Sequence, residues 1–350
     1  MPVKIAFIGF GGVGRALAEI IEEKRSRLKQ HYGLDAVVVG VSDLMKGSVY
    51  QPEGLDIPVL LKGLNDHGTV EGYPERAGVV KGWDSIEMID HSHADVIVEV
   101  TYTNVETGEP ALSHCRRALD QGKSVITTNK GPVAHAYKEL TEKASEKGAF
   151  FGFEGTVMSG TPALRLPEQT LAGNTIYKIQ GILNGTTNYI LTEMEKGLAY
   201  KDALKQAQDL GYAEADPVSD VEGYDVRYKL AILSSHVFGV PLSPDDIPCT
   251  GITGVTAADI QEADKAGEKW RLIGTLDWNG GRVTGTVQPE RVPQQEPLAG
   301  VTGALNAILY ECDMSGPIFM TGAGAGLKET GYALLIDLIH YHKQQSKINV

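Results

Sequence analysis

The chain has 350 residues, 42% of them hydrophobic, and carries 45 acidic against 32 basic side chains for a formal net charge of -13. That length exceeds one ordinary core and predicts two domains, while the acidic balance, with no basic stripe, excludes nucleic acid as a partner. No apolar run approaches the roughly 18 to 20 residues of a membrane helix, the first ten residues run into a strand rather than a signal peptide, and Cys115, Cys249 and Cys312 are odd in number and far apart, so a cytoplasmic, reducing setting without membrane, disulfide framework or zinc is expected.

Residues 3 to 8 read as a short buried strand leading into Gly9-Phe10-Gly11-Gly12-Val13-Gly14, after which an amphipathic helix runs to about Lys29. A strand, a glycine turn and a helix in that order make a dinucleotide fingerprint. Gly9 allows the tight turn, Gly11 lets a pyrophosphate approach the backbone, and Gly14 lets helix and strand pack, with the helix N-terminus facing the phosphates. The next apolar run, Ala36 to Val41, ends in Ser42-Asp43. An acid there would bond both ribose hydroxyls and repel a 2′-phosphate, which favours NAD, although Lys46 is placed to meet that phosphate and keeps NADP open. Gly47 to Trp83 is rich in Gly, Pro and charge and reads as a surface excursion with room for a small helix.

Apolar runs at Asp95 to Val100, Ser124 to Thr128 and Ala149 to Phe153 follow, separated by helical or turn-rich stretches. The alternation predicts an α/β fold of the Rossmann type, a doubly wound parallel sheet. Thr101 and Thr103 come after one strand at the carboxyl edge, where they either line a nicotinamide ribose or cap the loop. Thr127-Thr128-Asn129-Lys130 ends the next strand at the same edge and places Lys130 in the same crevice.

After Glu154 the pattern changes. Glu154, Thr156, Val157, Ser159 and Thr161 form a polar crossing that serves as a hinge or holds a hard cation through oxygen. A long strand (Thr175 to Leu183), three helices up to Gly239 and a hairpin around Asn279-Gly280-Gly281 then describe an α+β substrate and dimerisation domain. The junction from Gly181 to Tyr189 offers helix-start amides that suit a carboxylate. The loop Gly211 to Pro217, with Asp220 beyond it, brings several acids, of which one or two suit an ammonium group and Asp216 suits a cap. In Ser219 to Gly239, Lys229 lies beside the stripe Val226, Leu230, Leu233 and Val237, with Asp225 and Glu222 one and two turns back. Half desolvated and held by carboxylates, such an amine is poised to exchange a proton near neutral pH, unlike a solvated lysine of pKa about 10.4. From Gly322 a glycine-rich turn opens a last helix, Leu327 to about His342, with Leu334, Leu335, Leu338 and Ile339 on one side to pack back on the first domain. The expected boundaries are 1-154 for the dinucleotide domain, completed by about 322-350, and 155-321 for the second.

In their order and combination, Gly9 to Gly14, Thr127 to Lys130, Glu154 to Thr161, Gly181 to Tyr189, Gly211 to Asp220, Asp225 to Lys229 and Gly322 to Gly326 make the chain resemble the homoserine dehydrogenases over nearly its whole length. The resemblance implies an NAD(P)-dependent oxidoreductase, a homodimer, that reversibly oxidises L-homoserine to L-aspartate 4-semialdehyde in threonine and methionine biosynthesis. It implies Lys229 as proton donor and acceptor and Lys130 as the group that holds the substrate oxygen near the nicotinamide. Glu214 would bind the substrate ammonium, Asp220 and Asp225 would support it and Lys229, and Gly185, Thr186 and Tyr212 would complete the pocket. The cofactor would rest on Gly9, Phe10, Gly11, Gly12, Val13, Gly14, Asp43, Thr101, Thr103, Lys130 and Gly326. A sodium-like ion would sit on Glu154, Val157, Ser159 and Thr161, where Met158 and Ser159 depart from the usual glycine-rich turn. The short tail after the last helix implies a form without a C-terminal ACT-type regulatory domain or fused kinase. Two other readings are a different amino-acid dehydrogenase on this scaffold, such as one for aspartate, and a dinucleotide-binding protein without turnover.

Overall fold

The computed structural model describes residues 2-348. In chain order it runs β1 (Val3–Ile8), α1 (Gly12–Tyr32), β2 (Ala36–Asp43), β3 (Gly47–Tyr50), α2 (Ile57–His67), β4 (Val80–Lys81), α3 (Ser85–His91), β5 (Val96–Glu99), α4 (Ala111–Asp120), β6 (Ser124–Thr127), α5 (Lys130–Glu146) and β7 (Phe151–Gly152). It continues with α6 (Arg165–Thr170), β8 (Ile176–Ile182), α7 (Gly185–Glu195), α8 (Tyr200–Asp209), α9 (Val218–Val221), α10 (Tyr224–Val237), α11 (Ala257–Lys265), β9 (Glu268–Trp278), β10 (Val283–Pro293), β11 (Leu305–Cys312), β12 (Gly316–Ala323) and α12 (Leu327–Ile348). These elements form two compact units, one comprising the chain up to Thr156 together with the segment from Gly326 onward, the other Val157–Ala325.

The first unit is built on a seven-stranded sheet of order β4-β3-β2-β1-β5-β6-β7. Its central strands are apolar along both faces, with Ile5, Phe7, Ile8, Val96, Ile97, Val98, Val125 and Ile126 all buried, as a parallel sheet sandwiched between helix layers requires. α1 turns Leu17, Ile20, Ile21 and Leu28 inward and stops at Gly33, whose left-handed backbone (φ 70) lets its N–H close the last turn. The last helix belongs to this unit. Leu334, Leu335, Leu338 and Ile339 of α12 join the α1 core at 0-5% exposure, each contributing roughly 1.5-3 kcal/mol of burial. β1 lies between β2 and β5, so the direction of winding reverses beside Gly9 and Val100 and leaves a crevice at the carboxyl ends of the strands.

The segment 47-83 is more than a surface excursion. β3 pairs antiparallel to β2 and β4 antiparallel to β3, extending the sheet, α2 starts on an Asp56 cap that accepts from Val59 N at 3.0 Å, and Val49, Leu55, Ile57, Leu60, Leu64, Val70 and Tyr73 bury themselves in the main core.

The second unit is an antiparallel five-stranded sheet, β10-β9-β8-β11-β12, with helices against it. The expected hairpin is β9-β10, closed by Asn279 N to Arg282 O at 2.9 Å. A Cβ at Gly274 of β9 would lie 2.7 Å from Val226 Cγ1, so α10 rests directly on the strand. Four helices rather than three lie between β8 and Gly239, because Gly223 (φ 81) separates the single turn α9 from α10.

Candidate active site

In the first unit the glycine turn has the geometry its spacing predicts. Gly9 stands at φ +86, and a Cβ there would meet Val100 O at 2.6 Å; at Gly11 a Cβ would meet nothing within 4 Å. α1 starts without a side-chain cap, so its first-turn amides suit an anion. At Gly12 a Cβ would touch Leu327 Cδ2 at 2.6 Å, which brings the start of α12 against the turn, and Gly326 (φ +136) opens that helix by accepting from Thr330 N at 2.9 Å. Asp43 ends β2 and clasps the turn: Oδ2 accepts Phe10 N at 2.7 Å and Lys46 Nζ at 3.2 Å, while Oδ1 accepts Met45 N and Lys46 N at 3.0 Å. Burial pushes this carboxyl up, but the Phe10 and Met45 amides and the Lys46 ammonium outweigh it and hold it below the ordinary carboxylate range. The open Gly11 face, the uncapped helix start and the acid at the end of β2 fit a dinucleotide.

At the carboxyl edge, Thr101 donates from N (3.2 Å) and Oγ1 (2.5 Å) to Glu99 Oε1, whereas Thr103 is exposed. Lys130 is the first residue of α5 and partly exposed. Asn129 caps that helix by accepting Gly131 N at 3.3 Å and donates from Nδ2 to Tyr102 O at 3.1 Å.

The second unit gathers most of the expected substrate residues around Asn184. This side chain caps α7 by accepting Thr187 N at 2.9 Å, and its Nδ2 donates to Asp220 Oδ1 (2.7 Å) and Asp225 Oδ2 (3.0 Å). Asp225 Oδ2 also accepts Lys229 Nζ at 2.7 Å, and the same ammonium donates to Leu183 O at 2.5 Å. Lys229 is 6% exposed, so it is fully rather than half desolvated. Glu222 lies outside α10 beyond Gly223 and accepts from Thr253 Oγ1 at 3.0 Å, which breaks the helical spacing that placed it two turns behind the lysine. Thr186 Oγ1 lies 2.5 Å from Tyr212 O and 3.2 Å from Asp220 Oδ2. Burial first, then the Asp225 charge, raises the Asp220 carboxyl above its ordinary value, against the bonds from Asn184 and Thr186 and the Lys229 charge. Gly185 opens α7, with a Cβ there only 2.7 Å from Ala304 O, and the Tyr212 ring lies 5.1 Å from that of Tyr189. Glu214 is exposed, and its carbonyl accepts from Gln208 Nε2 at 3.1 Å.

Of the candidate cation ligands, Glu154 is 2% exposed in the first unit, and its N–H donates to Asp337 Oδ2 at 3.0 Å. In the second, Val157 and Ser159 are buried and Thr161 Oγ1 donates to Ala323 O at 3.1 Å. Met158 (φ 58) and Ser159 (φ 53) occupy left-handed backbone that L-residues adopt only when the surroundings enforce it. Among the described residues no group of three or more His, Cys, Asp or Glu side chains is placed to hold a metal, and no helix is long and apolar enough to cross a membrane.

Sequence reasoning passed over Asn184, Glu99 and Asn129. The only sequence signal for Asn184 and Asn129 is an asparagine at a strand-to-helix junction; Glu99 gives none beyond an acid that ends an apolar run.

A Rossmann-type sheet with an intact glycine turn, joined to a unit that holds a buried lysine on a carboxylate, defines a dinucleotide-dependent oxidoreductase. More narrowly, the chain belongs to the homoserine dehydrogenase family: the family model for homoserine dehydrogenase matches residues 162–339, and that for the homoserine dehydrogenase NAD binding domain matches 9–154. It is 43% identical over 345 residues to an NAD(+)-dependent homoserine dehydrogenase of Pseudomonas canavaninivorans, covering 98% of this chain and 97% of the relative. It is 40% identical to a homoserine dehydrogenase of Methanocaldococcus jannaschii, with 98% and 99% covered. A solved hyperthermophilic archaeal homoserine dehydrogenase in complex with NADPH superimposes with a TM-score of 0.82 at 30% identity, covering 97% of this chain and 98% of that one.

Proposed function

We propose that the chain catalyses the NAD(P)-dependent, reversible oxidation of L-homoserine to L-aspartate 4-semialdehyde. The observation that carries this reading is the buried Lys229 ammonium, fixed by Asp225 Oδ2 and Leu183 O within a network of Asn184, Asp220 and Thr186. When bound, a nicotinamide dinucleotide supplies the hydride chemistry. The residues of the chain bind, orient and move the proton. As the neutral amine Lys229 takes the hydroxyl proton during oxidation and becomes the ammonium, and in the reverse direction that ammonium returns the proton to the oxygen, while Asp225 keeps its nitrogen in one place. Lys130 steadies the negative charge that develops on that oxygen. Glu214 receives the substrate ammonium, Asp220 and Asp225 support it, and Gly185, Thr186 and Tyr212 shape the amino-acid pocket.

NAD is the proposed cofactor ahead of NADP, because a 2′-phosphate would have to lie beside the Asp43 carboxylate; Lys46 offsets part of that repulsion. A sodium-like ion on Glu154, Val157, Ser159 and Thr161 is supported by the oxygen-rich donor set, and activity indifferent to sodium and potassium would remove it. Exposed Leu305 (45%) and Phe319 (36%) on the five-stranded sheet support a homodimer, which a monomer mass in sedimentation would exclude. The test of the whole reading is homoserine with NAD and with NADP, followed at the nicotinamide absorbance band. Turnover with homoserine and none with aspartate supports it; cofactor binding without turnover on any amino alcohol refutes it. The family match does not favour another amino-acid dehydrogenase.

A further inference from the structure

Glu99 is the last residue of β5, fully buried, in register with Ile8 on one side and Thr127 on the other. It therefore stands at the point where the sheet reverses its winding, and a carboxylate there is unfavourable unless its oxygens are met. Oε1 accepts Thr101 N and Oγ1, with His114 Nδ1 at 3.5 Å; Oε2 accepts Thr127 Oγ1 at 3.3 Å. Thr127 Oγ1 in turn accepts Asn129 N at 2.9 Å, and Asn129 caps the helix whose first residue is Lys130. The two threonine donors come from the loop after β5 (Thr101) and from the last residue of the neighbouring β6 (Thr127), so the carboxylate ties the Thr101 loop to the strand end that leads into the Lys130 turn.

We propose that Glu99 is a positioning residue for hydride transfer: one carboxylate clamps the tips of β5 and β6 and thereby fixes both the Thr101 loop and the origin of α5, which carries Lys130. The proposal rests on the oxidoreductase reading above. The clamp accounts for a buried acid in a sheet that packing alone would fill with valine or isoleucine, and it acts on Lys130 through Thr127 and Asn129 rather than by contact with substrate.

The test uses E99Q, which removes the charge and one acceptor, and T127V, which keeps the shape and deletes the hydroxyl link. T127S restores that hydroxyl. We expect both disrupting variants to lower kcat by about a hundredfold, the scale of a displacement near 1 Å. NADH affinity by fluorescence titration should stay within about threefold, because the Gly9 to Gly14 turn is untouched, and T127S should recover most of the wild-type kcat. Hydrogen exchange across 128–133 should accelerate in E99Q and T127V and not in T127S, independently of turnover. Unchanged exchange overturns the clamp whatever the activity, as does faster exchange with unchanged kcat. Wild-type protein inactive on homoserine refutes the functional reading alone, since the exchange arm still decides the clamp. If E99Q fails to fold, T127V decides by the same measurements.

Discussion

Replacing Lys229 by methionine keeps most of the apolar stem and removes the ammonium, and its cost can be worked from the contacts. The Lys229 side chain is 7% exposed and that of Asp225 14%, so deletion strands a largely buried carboxylate and leaves Leu183 O without its donor. Breaking a buried pair by removing one partner costs about 3-5 kcal/mol. Asn184 Nδ2 still donates to Asp225 Oδ2, which places this site near the lower figure, about 3 kcal/mol. Such a loss lowers the melting temperature by roughly 6-12 °C in a unit of this size. Catalysis should fall further, by about 10²-10⁴ in kcat for a lost proton carrier, while NADH affinity stays near wild type. Urea unfolding, stopped-flow homoserine oxidation and NADH titration measure the three quantities. The double variant K229M/D225N separates them: neutralising the stranded acid should recover most of the stability and none of the activity, a coupling that a double-mutant cycle reads directly. A folded K229M enzyme with kcat within threefold of wild type would refute the proton-carrier assignment. A double variant no more stable than K229M would refute the stranded-charge account.

In the glycine turn, G9A must place a methyl 2.6 Å from Val100 O at φ +86 and should lose stability and cofactor binding together, whereas G11A, with nothing within 4 Å, should melt like wild type and weaken NADH binding about tenfold or more; equal melting losses in the two would refute the turn assignment. D43N should move the NAD to NADP preference toward NADP by about fivefold or more, since about 1 kcal/mol is the upper scale for an exposed charge pair and the Asp43 side chain is only 11% exposed, read as a ratio of kcat/KM values. Because Asp43 has its folded pKa lowered below 3.8, its contribution to stability is complete above that value and is lost as pH falls through the folded pKa. Acid unfolding of D43N should therefore show a smaller loss of stability than wild type as pH falls below the ordinary carboxylate value, and an identical acid profile would refute it. N184D keeps the Thr187 cap but faces Asp220 and Asp225 with a third carboxylate. It should lose about 2-4 kcal/mol at neutral pH and regain stability as pH falls; stability equal to wild type at pH 7 would refute the donor role of Asn184.

What could be read from the sequence was whatever repeats locally. The strand after the second crossing, expected at Thr175 to Leu183, is β8 at Ile176–Ile182, and the four leucine and isoleucine positions of the last helix face the core as their spacing requires. The 47-83 segment was illegible because β3 has four residues and β4 two, too few to show alternation, and its apolar side chains are recruited by a sheet edge that is distant in sequence. Glu222 was misplaced because a helical period runs unbroken through a glycine on paper, while Gly223 at φ 81 ends one helix and starts another. The site was legible as residue types and illegible as a network: Asn184 reaches acids 36 and 41 residues away, and Glu99 reaches Thr127 at 28. Side-chain bonds of that span leave no periodic trace.

The two asparagines show why residue type at these junctions carries chemistry as well as fold. Each lies two residues beyond the end of a strand of its own unit, is buried, and uses Oδ1 to cap the following helix, a task that serine, threonine or aspartate would do as well. Aspartate has no donor, and a serine or threonine hydroxyl offers one short O–H in place of the two N–H of an amide that reaches farther. Asn129 spends that amide donor on Tyr102 O, tying the loop after β5 to the Lys130 turn. Asn184 spends it on Asp220 and Asp225, reducing the repulsion between two acids that would otherwise compete for one lysine. An aspartate at either place would preserve the helix and forfeit the second bond, so helix capping alone does not account for either residue. In each unit the cap and the tether are one group, which fixes the position of the lysine by the same side chain that starts the helix beside it.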